Sequence, residues 1–205
     1  MIKKKIAILG STGSNGKSTL DVIKKNKKKF AIILLSANSN YQIINHQIKI
    51  FRPKYFIVND IFTYRKLIKK NKKGKTKIIN NFRDIPQKTM FDITISAIVG
   101  IAGLEPTINF MRKSKKILLA NKESIICGWH ILKYVSKRHK TKVIPIDSEH
   151  FSIHQLTKNC IDNDIKKIYI TASGGPFLRK PLREFKKINA KEATKHPNWQ
   201  MGKKI

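Results

Sequence analysis

An α/β protein, a parallel sheet with helices on both faces, is what this 205-residue sequence predicts, and three observations predict it. Short apolar, β-rich runs alternate with amphipathic, lysine-studded segments, the order in which parallel strands and their crossover helices occur. The first apolar run leads straight into a glycine-punctuated turn, "IAILGSTGSNGKSTLDVI", Ile6 to Ile23. The third observation is length, which suffices for one full core and the start of another.

Strands are expected at residues 5–9, 30–36, 55–58, 77–79, 92–98, 116–119 and 142–146, where Ile, Val, Leu and Phe run together between turn signals. Helical spacing marks residues 17–25, 61–71, 104–113 and 124–137. The character changes after Glu149. One further strand is expected at 167–171, then the Gly- and Pro-punctuated "ASGGPFLRKPLREF", a polar helix and "KHPNWQMGKKI". The organisation expected is therefore a domain at 1–149 and an incomplete second one at 150–205, since the last 55 or so residues are too few for an independent core.

The glycine turn has two readings. Ser11-x-x-x-x-Gly16-Lys17-Ser18 is one residue short of a triphosphate loop, because Ser11 stands where that loop needs glycine. Gly10, Gly13 and Gly16 suit a dinucleotide fold better: a tight exit from the strand, close backbone approach to a pyrophosphate, and packing of the helix start on the sheet. The fold class is accordingly a Rossmann-like sheet, with sites at the carboxyl ends of its strands. The end of the next strand, Asn38-Ser39-Asn40, carries no acid for ribose hydroxyls, which leans toward NADP.

Charge is extreme, 44 Lys plus Arg against 12 Asp plus Glu, net +32. Such a field attracts polyanions. The excess nevertheless travels with Ile and Asn, which share A/T-rich codons, and no cluster of Arg with exposed aromatics accompanies it, so no specific nucleic-acid partner is expected. Cys127 and Cys160 are 33 positions apart with no C-x-x-C, as in reduced cytoplasmic proteins. The opening "MIKKKIAILG" is too short in its apolar run for a secretory leader, and no run reaches membrane-spanning length, so no membrane partner is expected.

Asp147 and Glu149 form a D-x-E pair at the end of an expected strand, where a bend can aim both carboxylates at one hard cation. In a chain with only 12 acids this pairing favours a site over a solvated surface. His150 and His154 form an H-x-x-x-H that could hold zinc on a helix, but no further zinc ligand is evident and D-x-E already accounts for a metal.

The stretches "ILGSTGSNGKSTLDV", "LLANKESIICG", "IPIDSEHFSI", "ITASGGPF" and "KHPNWQMGKKI" resemble, in order, the motifs of the 1-deoxy-D-xylulose 5-phosphate reductoisomerase family. The resemblance implies an NADPH-dependent enzyme using Mn²⁺, Mg²⁺ or Co²⁺ that converts a small sugar phosphate to 2-C-methyl-D-erythritol 4-phosphate, and it implies a homodimer. It makes Asp147 and Glu149 metal ligands, and places Lys122, Ser148, Ser173 and His196 at the substrate, Ser173 on its phosphate. Trp199 and Met201 fall in a closing flap, and Gly202 near the nicotinamide. Thr12, Gly13, Ser14 and Asn15 take the pyrophosphate loop, Asn38, Ser39 and Asn40 the ribose end, and Asn121 and Glu123 flank the cofactor.

Two residues depart from the family pattern: Asn15 replaces an apolar residue in the glycine loop, and Ser39 stands where a Lys often meets the 2′-phosphate. Weaker NADPH binding is expected, by about 1.5–3 kcal/mol where one charge-assisted hydrogen bond to a phosphate is missing. The family pattern also continues past "MGKKI", into a segment with a third acidic metal ligand and a helical domain. The chain is thus expected to be a truncated reductoisomerase, with a non-catalytic, basic NADPH-binding remnant as the alternative.

Overall fold

The computed structural model describes residues 2–72, 74–161, 164–171 and 174–195. They fall into two compact units, Met1–Gln155 and Leu156–Ile205. The first is built on a seven-stranded parallel sheet of β1 (Lys4–Leu9), β2 (Phe30–Ala37), β3 (Tyr55–Val58), β4 (Lys77–Ile79), β5 (Phe91–Ser96), β6 (Ser114–Leu119) and β7 (Lys142–Pro145), in the order β4-β3-β2-β1-β5-β6-β7. Five helices connect them: α1 (Ser14–Lys25), α2 (Tyr41–Phe51), α3 (Ile61–Lys70), α4 (Leu104–Met111) and α5 (Lys122–His139), with α6 (Ser148–Thr157) leaving β7.

The order decides where the helices lie. From β1 to β4 the chain steps outward in one direction, then returns to place β5 beside β1 and steps the other way. Right-handed crossovers in opposite directions put their helices on opposite faces. The cores show it: Leu20 and Ile23 of α1, Ile44 and Ile48 of α2 and Leu67 of α3 pack with Ile6, Ile8, Phe56 and Val58. Phe110 and Met111 of α4 and Leu132 and Val135 of α5 pack with Ala7, Leu9, Tyr55 and Ile57. Successive residues of β1 and β3 thus feed alternate faces, as the period of two demands, and a strand buried on both faces reads as an unbroken apolar run.

All seven expected strands of this unit are present, displaced by at most two residues at either end. β5 stops at Ser96 rather than 98 because Ala97, after bonding Leu9 O, turns toward the glycine loop. α1 and α5 start earlier than their apolar spacing suggested, since the first turn of each carries no large apolar residue. α2 was not singled out in the sequence. The expected strand at 167–171 is corrected: the described segment 165–171 forms no strand and pairs with none among the described residues. The polar helix is a 3₁₀ turn, Leu182–Lys187, and a one-turn α7, Ala190–Ala193. No helix among the described residues is long and apolar enough to cross a membrane.

Candidate cofactor and metal site

The carboxyl ends of β1, β5, β6 and β7 carry a connected series of loops. After β1, Gly10 adopts φ +84°, and a Cβ there would lie 2.7 Å from the Ala97 carbonyl oxygen of the loop after β5. A Cβ on Gly16 would overlap the Gly10–Ser11 backbone, so α1 sits directly on the turn. A Cβ on Gly13 meets only Gly10 O at an ordinary 3.6 Å, so the protein's own packing does not demand glycine there. Gly13, Ser14 and Asn15 are exposed and Thr12 is half-buried.

Gly13 is the N-cap of α1 and provides no side-chain cap; no acid lies in the first turn. By contrast Asn40 caps α2, Asp60 caps α3 and Asn121 caps α5, each accepting a first-turn N–H. The first-turn N–H groups of α1 and their partial positive charge are left for an anion.

At the end of β2, Asn38, Ser39 and Asn40 are exposed. Asn40 Oδ1 accepts from Ile43 N at 3.1 Å, and Ser39 O accepts from the Thr63 hydroxyl at 3.1 Å. The loop itself holds no charge, but Lys66 lies 4.4 Å and Lys70 5.7 Å from the centroid of the adjacent Tyr41 ring.

Asn121 ties two loops together. It is buried, its Oδ1 accepts from Ser124 N at 2.8 Å, and its Nδ2 donates to Ile98 O and to Gly100 O. Its amide is therefore engaged within the chain, holding the loop after β5 against the start of α5. Lys122 and Glu123, the next two residues, are half-buried in the first turn of α5. Lys122 Nζ reaches 3.9 Å from Glu149 Oε1, across from β6 to β7.

The Asp147-x-Glu149 pair lies where β7 gives way to α6. Asp147 caps α6: Oδ2 accepts from His150 N at 3.2 Å and pairs with His150 Nδ1 at 2.5 Å. Its other oxygen, Oδ1, is buried and has no hydrogen-bond partner among the described residues. Leaving a buried carboxylate oxygen unpaired costs free energy that a cation would recover. Glu149's carboxyl is held below the ordinary carboxylate range, first by its own backbone N–H and then by the Ser148 hydroxyl at 3.1 Å, with Lys122 adding to the effect and Asp147 opposing it. An orphaned oxygen beside a second ionised carboxylate fits a hard divalent cation. No cluster of three His, Cys, Asp or Glu occurs among the described residues, so both carboxylates would share the ion with water or other donors.

The structure thus brings Lys122, Asp147, Ser148 and Glu149 together and, through Asn121 and the loop after β5, connects them to the Gly10–Asn15 turn. Ser173, His196, Trp199, Met201 and Gly202 lie outside the described residues. Two residues that hold the site were missed in the sequence, Ser36 and Gln47, both buried. Gly10 N and Ser11 N both donate to Ser36 O. The signal for Gln47 was a glutamine one position before Ile48 on the apolar face of "YQIINHQIKIF".

A parallel sheet whose strand order reverses between β1 and β5, with an uncapped glycine turn at that point, defines a Rossmann-like α/β protein. The sequence model described as 1-deoxy-D-xylulose 5-phosphate reductoisomerase matches residues 6–128, and that of the family's C-terminal domain matches 143–205. The chain belongs to the 1-deoxy-D-xylulose 5-phosphate reductoisomerase family. A Pelagibacter ubique protein of that name is 48% identical over 98% of this chain and 53% of its own length. A crystal structure of DOX-P reductoisomerase in complex with NADPH, fosmidomycin and magnesium superposes with a TM-score of 0.86 at 34% identity, over 98% of this chain and 52% of that one. The Zymomonas mobilis reductoisomerase in complex with NADPH gives 0.84 at 32%, over 96% and 52%. The chain spans about half the length of the curated relatives it matches.

Proposed function

We propose that this chain carries the NADPH-binding domain, at 1–149, and part of the catalytic domain, at 150–205, of a reductoisomerase acting on 1-deoxy-D-xylulose 5-phosphate. The observation that carries the reading is the orphaned Asp147 Oδ1, set beside Glu149 and Lys122 on the same strand-end rim as the uncapped turn of α1. The related crystal structure contains NADPH and magnesium, which supports the same pairing here.

Thr12, Gly13, Ser14 and Asn15 would present N–H and hydroxyl groups to the pyrophosphate of NADPH, and Asn38, Ser39 and Asn40 would border its adenosine end, with Lys66 supplying positive charge nearby. Asn121 would shape the cofactor's wall through the loop it holds, and Glu123 would flank it. Asp147 and Glu149 would hold Mn²⁺ or Mg²⁺, which when bound polarises the vicinal oxygens of the ketose during rearrangement. Lys122 and Ser148 would orient the substrate beside those carboxylates. Ser173 would take its phosphate, His196 would contact it, Trp199 and Met201 would close over it, and Gly202 would approach the nicotinamide. The same reading makes the protein cytoplasmic and a homodimer, with no membrane or specific nucleic-acid partner.

The test titrates the purified chain with NADPH by fluorescence and with Mn²⁺ by electron paramagnetic resonance, then assays NADPH oxidation with the deoxyketose phosphate. NADPH should bind, and Asp147→Asn, which keeps a capping oxygen, should weaken Mn²⁺ at least tenfold while leaving NADPH unchanged. Cofactor binding without turnover would favour the non-catalytic NADPH-binding module, and no NADPH binding would defeat both readings.

A further inference from the structure

Ser11 and Gln47 are 36 residues apart, yet their buried side chains form a two-way lock. Ser11 Oγ donates to Gln47 Oε1 at 2.7 Å, and Gln47 Nε2 donates back to Ser11 O at 2.9 Å. Ser36 O lies 3.1 Å from the same hydroxyl and 2.8 Å from Ser11 N. Ser11 is therefore held from β2 on one side and α2 on the other, at the centre of the glycine turn.

The consequence follows from peptide geometry. In a planar trans peptide the carbonyl and the following N–H point in opposite directions. Gln47 draws the Ser11 carbonyl toward α2, so the N–H of Thr12, on the same peptide plane, is turned the opposite way. That N–H has no partner among the described residues, whereas Gly13 N is already used on Gly10 O at 3.2 Å. A buried glutamine costs desolvation unless both ends of its amide are satisfied. Here both are spent on one serine of the turn, where an apolar residue would otherwise continue the face of Ile44 and Ile48.

We infer that Gln47 is a positioning residue for the dinucleotide: from α2 it sets the Ser11–Thr12 peptide so that Thr12 N–H is offered to the pyrophosphate. This rests on the NADPH reading above. Ser11, the residue that disqualifies a triphosphate loop, is the handle by which the turn is set.

The test measures dissociation constants of the intact chain for NADPH and, by ligand-observed NMR, for adenosine 2′-monophosphate, which has no pyrophosphate. Gln47→Met keeps the volume and removes both bonds. It should weaken NADPH about tenfold, as expected when one charge-assisted hydrogen bond is removed, and leave adenosine 2′-monophosphate within about twofold. Ser11→Ala, which keeps the carbonyl and loses only the hydroxyl arm, should show a smaller loss with the same ligand selectivity, and it decides the matter should Gln47→Met fail to fold. NADPH binding within twofold of wild type in a folded variant, or equal losses for both ligands, would overturn the inference by reducing Gln47 to a packing residue. Failure of the unsubstituted chain to bind NADPH would instead count against the functional reading.

Discussion

Phe110 and Tyr169 are both aromatic residues in apolar stretches, and the two units treat them oppositely. Phe110, in α4, is fully buried against Phe91 at a ring separation of 5.4 Å, while Tyr169 in the second unit is 77% exposed. The same holds for whole segments: Ile6 to Leu9 disappear between two helical layers, whereas Ile168 and Ile170 remain exposed. No described residue of the second unit is buried. The difference teaches that β propensity does not make a strand. β1 has β2 and β5 to pair with, and helices on both faces; the segment at 165–171 has no ladder partner among the described residues, so neither its backbone nor its apolar side chains would gain from forming a strand.

Truncating each aromatic is the largest test of that contrast. Phe110→Ala should cost about 3–5 kcal/mol in urea denaturation, because it empties a packed site, and Tyr169→Ala should stay within about 0.5 kcal/mol. A Tyr169→Ala loss comparable to that of Phe110→Ala would break the comparison.

Within the first unit, two glycines three residues apart sharpen it. Gly10→Ala meets both a positive φ and the Ala97 carbonyl, and should destabilise by about 2 kcal/mol. Gly13→Ala fits the backbone and should leave stability within about 0.5 kcal/mol, yet weaken NADPH about tenfold by filling space the phosphate needs. Fluorescence titration alongside denaturation separates a glycine that serves the fold from one that serves the site.

The smallest effect lies at the opposite end of the sheet. Asp92 accepts from Lys5 N and from Lys115 Nζ, both at 2.8 Å, and the Lys115 bond, followed by the Lys5 N–H, holds its carboxyl below the ordinary aspartate range. A depressed folded value stabilises above the unfolded carboxylate range and is lost as pH falls through the folded one. Wild type should therefore exceed Asp92→Asn by about 0.5–1 kcal/mol at pH 7, with the difference fading in acid. A pH-independent difference would assign the effect to packing.

The sheet was legible because period, turn chemistry and length are local properties. An unbroken apolar run bounded by Gly, Pro or Asn reads as a buried strand, and Gly10 and Gly16 announce a strand-to-helix turn within seven residues. Asp147 and Glu149 were legible for the same reason, two acids set two apart at a strand's end. The 167–171 segment shows the limit of local reading, since its residues match those of a strand that found partners.

By itself, then, the sequence determined the alternation of strand and helix, the glycine turn and the two carboxylates. Only the tertiary structure decided that β5 returns beside β1, that Asn121 joins two loops, that one buried oxygen of Asp147 finds no partner among the described residues, and that Gln47 meets Ser11. Local patterns are written in neighbouring residues, whereas a hydrogen bond spanning 36 positions exists only once two elements pack, and its energy depends on the burial that packing creates.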